Sequence, residues 1–531
     1  MLQRLLGTFS RRAKRTHLGH GSSAPDLESP GRKVSSCLDA NLGTAQALRG
    51  RGEDVVIRQL RLGKDQRLRA FLLFVDGLVN KDMIARDIID PLLRVTNPSM
   101  GKLSDLVRHG ILAVPSLKEA TIWSQVLAEV LIGETALFID GEPHALVLET
   151  RSWQTRAVEA PNTEVTIRGP QEGFTESLRV NTSLLRRRIR NADLRLEAMV
   201  LGRRTGTKVC LAYIEKLPED RVLQELRRRL ERIDPAAVLE SGQIEKLIED
   251  CSWSPFSTVG ATERPDVAAL RLLQGRVAIL CEGSPFVLTV PHLFMEMFQS
   301  AEDPYIRRIH AVTLRCGRFV AWLASLLSLS FYVALETFHQ EMIPRPLIIT
   351  MMAAREGTPF PVAVEVLLMG AAYEIVREAG SRLPRPVGQA ISIVGTLIIG
   401  DAAVKAGLVA AQVIIVVAFS AVASFAAPAL TQPSVLLRLL ALIFTAIIGF
   451  YGTAIFFAGL LVHLASLRSF GVPYLSTFVP TAVETPRTMP SEPLPVWSIL
   501  TCPEETAPRD PAGNRAGTDR GGSENGGNTT T

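Results

Sequence analysis

The stretch Gly133-Glu-Thr-Ala-Leu-Phe-Ile-Asp140-Gly141-Glu-Pro143-His-Ala-Leu-Val-Leu148 recurs as Gly275-Arg-Val-Ala-Ile-Leu-Cys-Glu282-Gly283-Ser-Pro285-Phe-Val-Leu-Thr-Val290. Each copy consists of an apolar run, an acidic residue followed by glycine, and a second apolar run. A tight turn between antiparallel strands needs positive φ, which glycine supplies, so each copy predicts a β-hairpin. The repeat favours two similar α/β lobes, although any two α/β hairpins share part of this pattern.

Around the hairpins, short strand-like runs alternate with longer stretches of helical period. The run Leu72 to Asp76 and the run Cys210 to Glu215 each end in an acid and precede a predicted helix, which is a second sign of duplication. Two facing lobes form a cleft where a small ligand commonly binds, but no polar cluster in the sequence locates a pocket. The predicted strands cover residues 69–75, 135–139, 145–148, 209–214 and 277–281, and the predicted helices cover 81–93, 117–132, 219–233 and 243–250.

The C-terminal half has the pattern of a membrane domain. A bilayer core of about 30 Å needs roughly 20 apolar residues of helix. Residues 319–338 and 360–376 fit this length, 387–400 is short, 408–427 is strongly apolar, and 435–467 suits one long tilted helix. We expect about four crossings plus a re-entrant segment, or five spans. Arginines before the first span and after the second place both flanks in the cytoplasm.

Ionisable groups inside membrane spans are costly, so they tend to line a water-filled path or to pair within a bundle. Glu365, Glu374, Asp401 and Lys405 are the candidate ion-path residues. The alternative is local pairing, of Glu374 with Arg377 and of Asp401 with Lys405 one helical turn away. Small residues between 395 and 411 permit close helix packing and suit an oligomer.

These patterns predict an α+β multidomain fold, in which two similar α/β lobes precede an all-α polytopic membrane domain. A net charge of +5 gives no argument for nucleic acid, and six scattered cysteines suggest isolated thiols. No catalytic constellation, metal-ligand spacing or cofactor fingerprint is present, so we expect no enzyme and no cofactor. The expected boundaries are a disordered basic leader at 1–51, lobes at 52–155 and 156–300, a transmembrane domain at 301–480, and a disordered tail at 481–531.

The segment Glu164-Val-Thr-Ile-Arg168-Gly169-Pro170-Gln-Glu172-Gly173-Phe174-Thr-Glu176-Ser-Leu-Arg-Val-Asn181-Thr-Ser-Leu184-Leu-Arg186-Arg-Arg188-Ile189 closely resembles the signature of the A subunits of GerA-type spore germinant receptors. The resemblance extends through Ala353-Ala-Arg355-Glu-Gly-Thr-Pro-Phe-Pro361 and covers about residues 54–480. The signature has no obvious chemistry of its own, so its residues are interface candidates. For its run Arg186 to Arg188 three interpretations stay open: an interface, a salt-bridge network or a lipid-facing basic patch. They are Glu164, Arg168, Gly169, Pro170, Glu172, Gly173, Phe174, Glu176, Asn181, Arg186 and Arg188.

The resemblance implies a subunit of a nutrient sensor in the inner membrane of the bacterial spore, with its N-terminal region on the cytoplasmic side. It further implies B and C partner subunits, a homo-oligomer, and a ligand-gated ion channel that triggers germination. Two alternatives stay open. In the first alternative to the channel, the chain is a non-conducting scaffold that transmits the signal. In the second, it binds the nutrient itself in the cleft between its lobes.

Overall fold

The N-terminal half folds around two five-stranded antiparallel sheets with the same strand order. The computed structural model describes residues 32–50, 52–62, 68–94, 112, 114, 116–151, 161, 164, 166, 168–233, 235–383 and 398–476. The first sheet has the order β1-β2-β4-β5-β3, and the second has the order β6-β7-β9-β10-β8. We call each sheet with the helices packed on it a lobe.

The first lobe begins with a helix. Its elements are α1 (Leu38–Arg49), β1 (Val55–Leu62), β2 (Leu68–Val75), a helical segment α2 (Lys81–Met83, π-helical Ile84–Ile89 and Asp90–Arg94), β3 (Leu117–Ala120), α3 (Trp123–Val130), β4 (Thr135–Ile139) and β5 (Ala145–Leu148). The second lobe repeats this plan with α4 (Leu178–Arg188), β6 (Leu194–Leu201), β7 (Thr207–Ile214), α5 (Asp220–Arg232), α6 (Ser241–Ile248), β8 (Gly260–Thr262), α7 (Pro265–Leu273), β9 (Val277–Cys281) and β10 (Val287–Val290).

The repeated stretches of the sequence form the two predicted hairpins, β4–β5 and β9–β10. Gly141 and Gly283 follow the first strand of each hairpin at φ +92° and +83°, as the turn chemistry requires. Both faces of each sheet are buried, because alternate side chains enter two different cores. In the first sheet, for example, Phe71 stacks on Phe138 at 4.5 Å on one face, while Leu72 packs into the other core.

Two predictions for the first lobe are wrong. The predicted disordered leader extends to residue 51, but residues 38–49 form α1, whose buried Leu38, Ala45 and Leu48 join the core of the first sheet. The predicted helix begins at residue 117, but residues 117–120 form the edge strand β3, which pairs with β5. The helical period of α3 does not extend upstream of Trp123, because the backbone groups of residues 117–120 bond to the sheet.

The C-terminal half is helical. Its elements are α8 (Arg308–Thr337), α9 (Arg345–Arg355), α10 (Val362–Arg382), helical residues 398–405, α11 (Ala411–Ser424), α12 (Thr431–Ile448) and α13 (Phe450–Ser466). Among the described residues, Arg308–Thr337 and Pro428–Ile448 are long and apolar enough, by length and composition, to cross a membrane. The predicted short span at 387–400 lies outside the described residues except for 398–400. The predicted C-terminal tail at 481–531 lies wholly outside them.

The single tilted helix predicted over residues 435–467 is also wrong. Gly449 lies between α12 and α13 at φ +68°, a conformation that ends a right-handed helix. A continuous helix of this length would span about 50 Å at 1.5 Å per residue, well beyond a bilayer core of about 30 Å. The break lets α13 return alongside α12, and Gly452 then lies against the backbone of Phe444.

A small hairpin joins the helical half to the second lobe. The strands β11 (Arg468–Ser469) and β12 (Val472–Pro473) follow α13, and Phe470 between them is buried in a core of the second sheet. Beside this hairpin, Trp322 of α8 packs edge-on against Phe294 at 5.7 Å. The end of the helical half is therefore fixed to the sheet region by direct contact.

Candidate functional site

The signature segment lies where the two lobes meet. Arg186, near the end of α4, is 2% exposed, and its Nε and Nη2 donate to the two carboxylate oxygens of Asp54 at 2.7 and 3.0 Å. Asp54 immediately precedes β1 of the first lobe. A Cβ at Gly52 would lie 2.5 Å from the Asp54 carboxylate, so the absence of a side chain there permits the ion pair. The signature arginine thus connects the two lobes.

Asn181 folds the signature back onto the start of α4. Its Oδ1 accepts the backbone N–H of Thr175 at 2.8 Å, and its Nδ2 donates to the Thr175 carbonyl at 2.6 Å. Asn41 makes the same two bonds to Ser35 in the first lobe, at 3.0 and 2.6 Å. Sequence reasoning missed Asn41 because it lies in the stretch assigned to the leader, although the equal six-residue spacing of the two pairs is visible in the sequence.

The other signature residues brace this arrangement. The Glu176 carbonyl accepts the N–H of Gly283 at 2.8 Å, which ties the signature to the second hairpin. Phe174 is buried in the core beneath α4, and Gly173 beside it is also buried. Arg168 is exposed at the surface.

Arg264, which sequence reasoning missed, organises the first part of the signature. Its buried guanidinium pairs with Asp266 at 2.9 Å and donates to the Pro170 carbonyl at 2.7 Å. Gly169, at φ +135°, lies against the Tyr305 ring. Glu164 accepts a hydrogen bond from Thr262 at 2.6 Å, and burial raises the pKa of its carboxyl despite that bond.

A pocket of about 520 Å³ opens between the lobes beside the signature. Glu172 pairs with Arg188 at 2.7 Å and with Arg187 at 3.3 Å along its wall. The structure therefore places a polar pocket at the cleft that the sequence predicted without locating. Its lining comprises Leu131, Ile132, Pro170, Gln171, Glu172, Arg187, Arg188 and Arg190.

A second buried polar cluster lies between the second lobe and the helical half. His292 Nδ1 and Glu296 Oε2 are 3.1 Å apart, Arg276 also pairs with Glu296, and the His292 N–H donates to Ser469 Oγ of β11 at 3.0 Å. Burial lowers the pKa of His292. Burial alone would raise the pKa of Glu296, but Arg276, His292 and Arg271 lower it to about 2. Sequence reasoning missed this cluster because His292 and Glu296 meet Arg276 and Ser469 only through the fold.

Of the candidate ion-path residues, Glu365 is the most deeply buried. It lies in the first turn of α10 with no exposed surface, 3.5 Å from Arg355, and its Oε2 accepts the N–H of Ala410 at 3.0 Å. Arg355 also pairs with Glu336 at the end of α8 at 3.0 Å. Arg355 therefore holds two carboxylates from two helices, and a pocket of about 330 Å³ opens beside it.

The structure does not bring the other three candidates to Glu365. Glu374 pairs with Arg377 at 2.6 Å and lies 3.5 Å from Arg438 of α12. Asp401 pairs with Lys405 at 2.6 Å, and both side chains are exposed. The local pairs expected as the alternative are thus present for both acids.

The sequence matches the family described as Bacillus/Clostridium GerA spore germination protein over residues 44–500. The chain belongs to the GerA family. Spore germination protein KA of Bacillus subtilis (strain 168) is 42% identical to it over 449 residues, which are 84% of this chain and 82% of that protein. Spore germination protein GerLA of Bacillus cereus is 36% identical over 434 residues, which are 81% of this chain and 88% of that protein.

Two further proteins are similar to the chain. The uncharacterized membrane protein YfkQ of Bacillus subtilis (strain 168) is 38% identical over 451 residues, 85% of this chain and 87% of that protein. The crystal structure of the N-terminal domain of the A subunit of the Bacillus megaterium spore germinant receptor GerK3 is 33% identical. The match covers 49% of this chain and 97% of the crystallised domain, with a TM-score of 0.40. Membership in the GerA family confirms the resemblance carried by the signature and gives the chain a role in spore germination.

Proposed function

We propose that this GerA-family chain is the A-type subunit of a nutrient germinant receptor and that several copies form a gated cation path in the spore's inner membrane. The observation that carries the proposal is the fully buried carboxylate of Glu365, held by Arg355 inside an apolar helical bundle. A buried charge is expensive unless it is paired, and in membrane helices such charges usually serve an ion or substrate path.

Exposed apolar side chains on the helices support insertion in a bilayer. Val320 of α8, Ile415 of α11, Ile447 of α12 and Val462 of α13 are each more than 60% exposed. Apolar surface this extensive is unusual on a water-soluble monomer and suits lipid or neighbouring subunits. The helical half therefore fits several crossings, with the two lobes on one side of the membrane.

The pairing around Arg355 suits a closed state of the path. Glu336, Arg355 and Glu365 lie on three successive helices, so a shift of α9 relative to α8 and α10 would separate the charges. Once freed, the two carboxylates would attract a cation in place of the guanidinium. Asp401 has a different role in this proposal, because its exposed side chain suits the entrance of a path rather than its interior.

The signal would reach the helices through the second lobe. The pair of Arg186 and Asp54 joins the lobes, and the bond from the His292 N–H to Ser469 joins the second lobe to the hairpin after α13. A partner subunit that moves either lobe would thereby act on the helical half. B and C subunits of the same receptor are the partners that this proposal requires.

Potassium flux from vesicles that contain the full-length chain tests the proposal. We expect Glu365→Gln and Asp401→Asn to change conductance or cation selectivity, because each removes a negative charge from the path. Glu378→Gln is the matched control, since Glu378 lies on α10 like Glu365 but forms an exposed pair with Arg382. Unchanged flux in both test variants would remove these residues from the path, and a monomeric, electrically silent protein would favour the scaffold.

One observation favours a second candidate function, direct nutrient binding. The pocket between the lobes combines apolar Leu131 and Ile132 with arginines, among them Arg188, which suits a small carboxylate such as an amino acid. Titration of the full-length protein with candidate nutrients in a calorimeter tests it. Binding heat that disappears in Arg188→Gln would support this function, and absence of heat with the whole receptor active would exclude it.

A further inference from the structure

One tryptophan of the second lobe projects from the protein almost completely. Trp253 lies in the loop between α6 and β8, and 96% of its surface is exposed. A tryptophan usually buries most of its large ring, with its indole N–H bonded at one end. Within the described part of the chain, the next most exposed large apolar side chain is Ile309, at 75%.

The loop that carries Trp253 is fixed to the helical half. The next residue, Ser254, bonds through its Oγ to His463 Nε2 at 3.0 Å, in the last turn of α13. Ser254 Oγ also accepts the N–H of Phe256 at 3.2 Å, and the Phe256 ring packs edge-on against Phe294 at 5.9 Å. Trp253 is therefore held in position beside the end of α13 rather than on a free loop.

The surface next to this position is apolar. Val462, which precedes His463 on α13, is 70% exposed, and Leu461 is 47% exposed. The apolar surface of α13 thus continues up to the turn that holds the loop. The polar groups begin there with His463 and Ser254, so Trp253 lies at the boundary between the two kinds of surface.

We propose that Trp253 inserts into the interface between lipid headgroups and acyl chains and fixes the depth and tilt of the second lobe on the bilayer. The amphipathic indole is enriched at this depth of membranes, where its ring is in an apolar layer and its N–H is near water. The inference rests on the proposed insertion of the helices in a bilayer and adds the lipid surface as a binding partner of the soluble half.

Tryptophan fluorescence of the full-length protein in phosphatidylcholine–phosphatidylglycerol vesicles tests this inference. The difference in emission between the wild type and Trp253→Phe isolates the Trp253 component. We expect lipids brominated near the headgroup end of the acyl chain to quench the greater part of that component, and lipids brominated at the chain terminus to quench less. Trp123→Phe is the control, because Trp123 is buried in the first lobe and its component should respond to neither lipid.

Two outcomes separate the inference from the proposed function. Quenching of the Trp253 component by aqueous iodide but not by brominated lipid would overturn the inference, provided that the protein stays in the vesicles after an alkaline wash. Loss of the protein from the vesicles in that wash would instead overturn the proposed membrane insertion, and with it the lipid contact of Trp253.

Discussion

Arg186 and Asp54 form a buried, two-bond ion pair between residues that belong to different lobes. The guanidinium also donates to the Asn191 carbonyl at 3.3 Å, so its fork has partners on two sides. Removal of either side chain leaves the other charge without a partner. Because that charge is shielded from water, its loss of pairing destabilises the fold. The signature arginine of the family is thus a joint between the lobes rather than a free basic patch.

Removal of this arginine should destabilise the protein. We expect Arg186→Met to lower the free energy of unfolding by about 3–5 kcal/mol, because Asp54 then remains buried without a counter-charge. The double variant Arg186→Met, Asp54→Asn should recover part of the loss. Arg179→Met, which breaks a partly exposed pair with Asp76 and leaves Lys81 paired with that carboxylate, should cost at most about 1 kcal/mol. Thermal unfolding in detergent measures the stability of all three variants. Equal losses in Arg186→Met and Arg179→Met would contradict the role of Arg186 as the joint between the lobes.

Arg355 should act as a lock on the helical half. We expect Arg355→Gln to increase the resting potassium leak from vesicles, because Glu336 and Glu365 lose their shared counter-ion. Arg382→Gln, which breaks an exposed pair at the end of α10, should leave the leak unchanged. The triple variant Arg355→Gln, Glu336→Gln, Glu365→Gln distinguishes charge from packing. If it leaks as much as Arg355→Gln, the freed carboxylates are not the cause.

Stability should fall in two pH windows. The folded pKa of His292 is lowered by burial, so below about pH 6.5 the unfolded state takes up a proton that the folded state does not. The loss is at most about 1.4 kcal/mol per pH unit for one proton. Glu296, with a folded pKa of about 2, stabilises the fold above its ordinary pKa, and that contribution disappears as the pH falls from about 4.5 towards 2.

The variant His292→Gln should flatten the upper window and shrink the lower one only in part, because Arg276 and Arg271 still lower the pKa of Glu296. Melting temperatures of the full-length protein in detergent at a series of pH values measure this. A wild-type melting temperature that stays constant from pH 7.5 to 5 would show that the His292 cluster does not couple protonation to folding.

The close return of α13 against α12 should depend on one glycine. A Cβ at Gly452 would overlap the Phe444 carbonyl, whereas a Cβ at Gly459 of the same helix meets nothing within 4 Å. We expect Gly452→Ala to lower the melting temperature. Gly459→Ala should be neutral or stabilising by up to about 1 kcal/mol, because alanine is the better helix former. Equal behaviour of the two variants would rule out close packing at Gly452.

The sequence predicted elements whose pattern is local. The two hairpins were found because an acid-glycine turn between apolar runs has a fixed chemistry, and β4, β5 and β9 have the predicted bounds. The pattern at β3 predicts a helix instead of a strand because the partner strand β5 lies beyond an intervening helix and strand. The break at Gly449 was missed because apolar residues continue on both sides of it.

The contacts that make the candidate sites were not predictable in this way. Asp54 and Arg186 are 132 positions apart, and Ser254 and His463 are 209 apart. Only the fold brings such residues together, and periodicity carries no information about pairs on separate elements. Glu365 was identified because a carboxylate in an apolar run is conspicuous, but its partner Arg355 lies in a loop-like motif outside the predicted span.

The size of the detergent-solubilised protein tests the central claim most directly. We predict a complex of several copies of the 57.9 kDa chain in light scattering, because a path between helices needs neighbouring subunits around it. A stable monomer that remains monomeric after return to a bilayer would contradict a cation path formed by this chain.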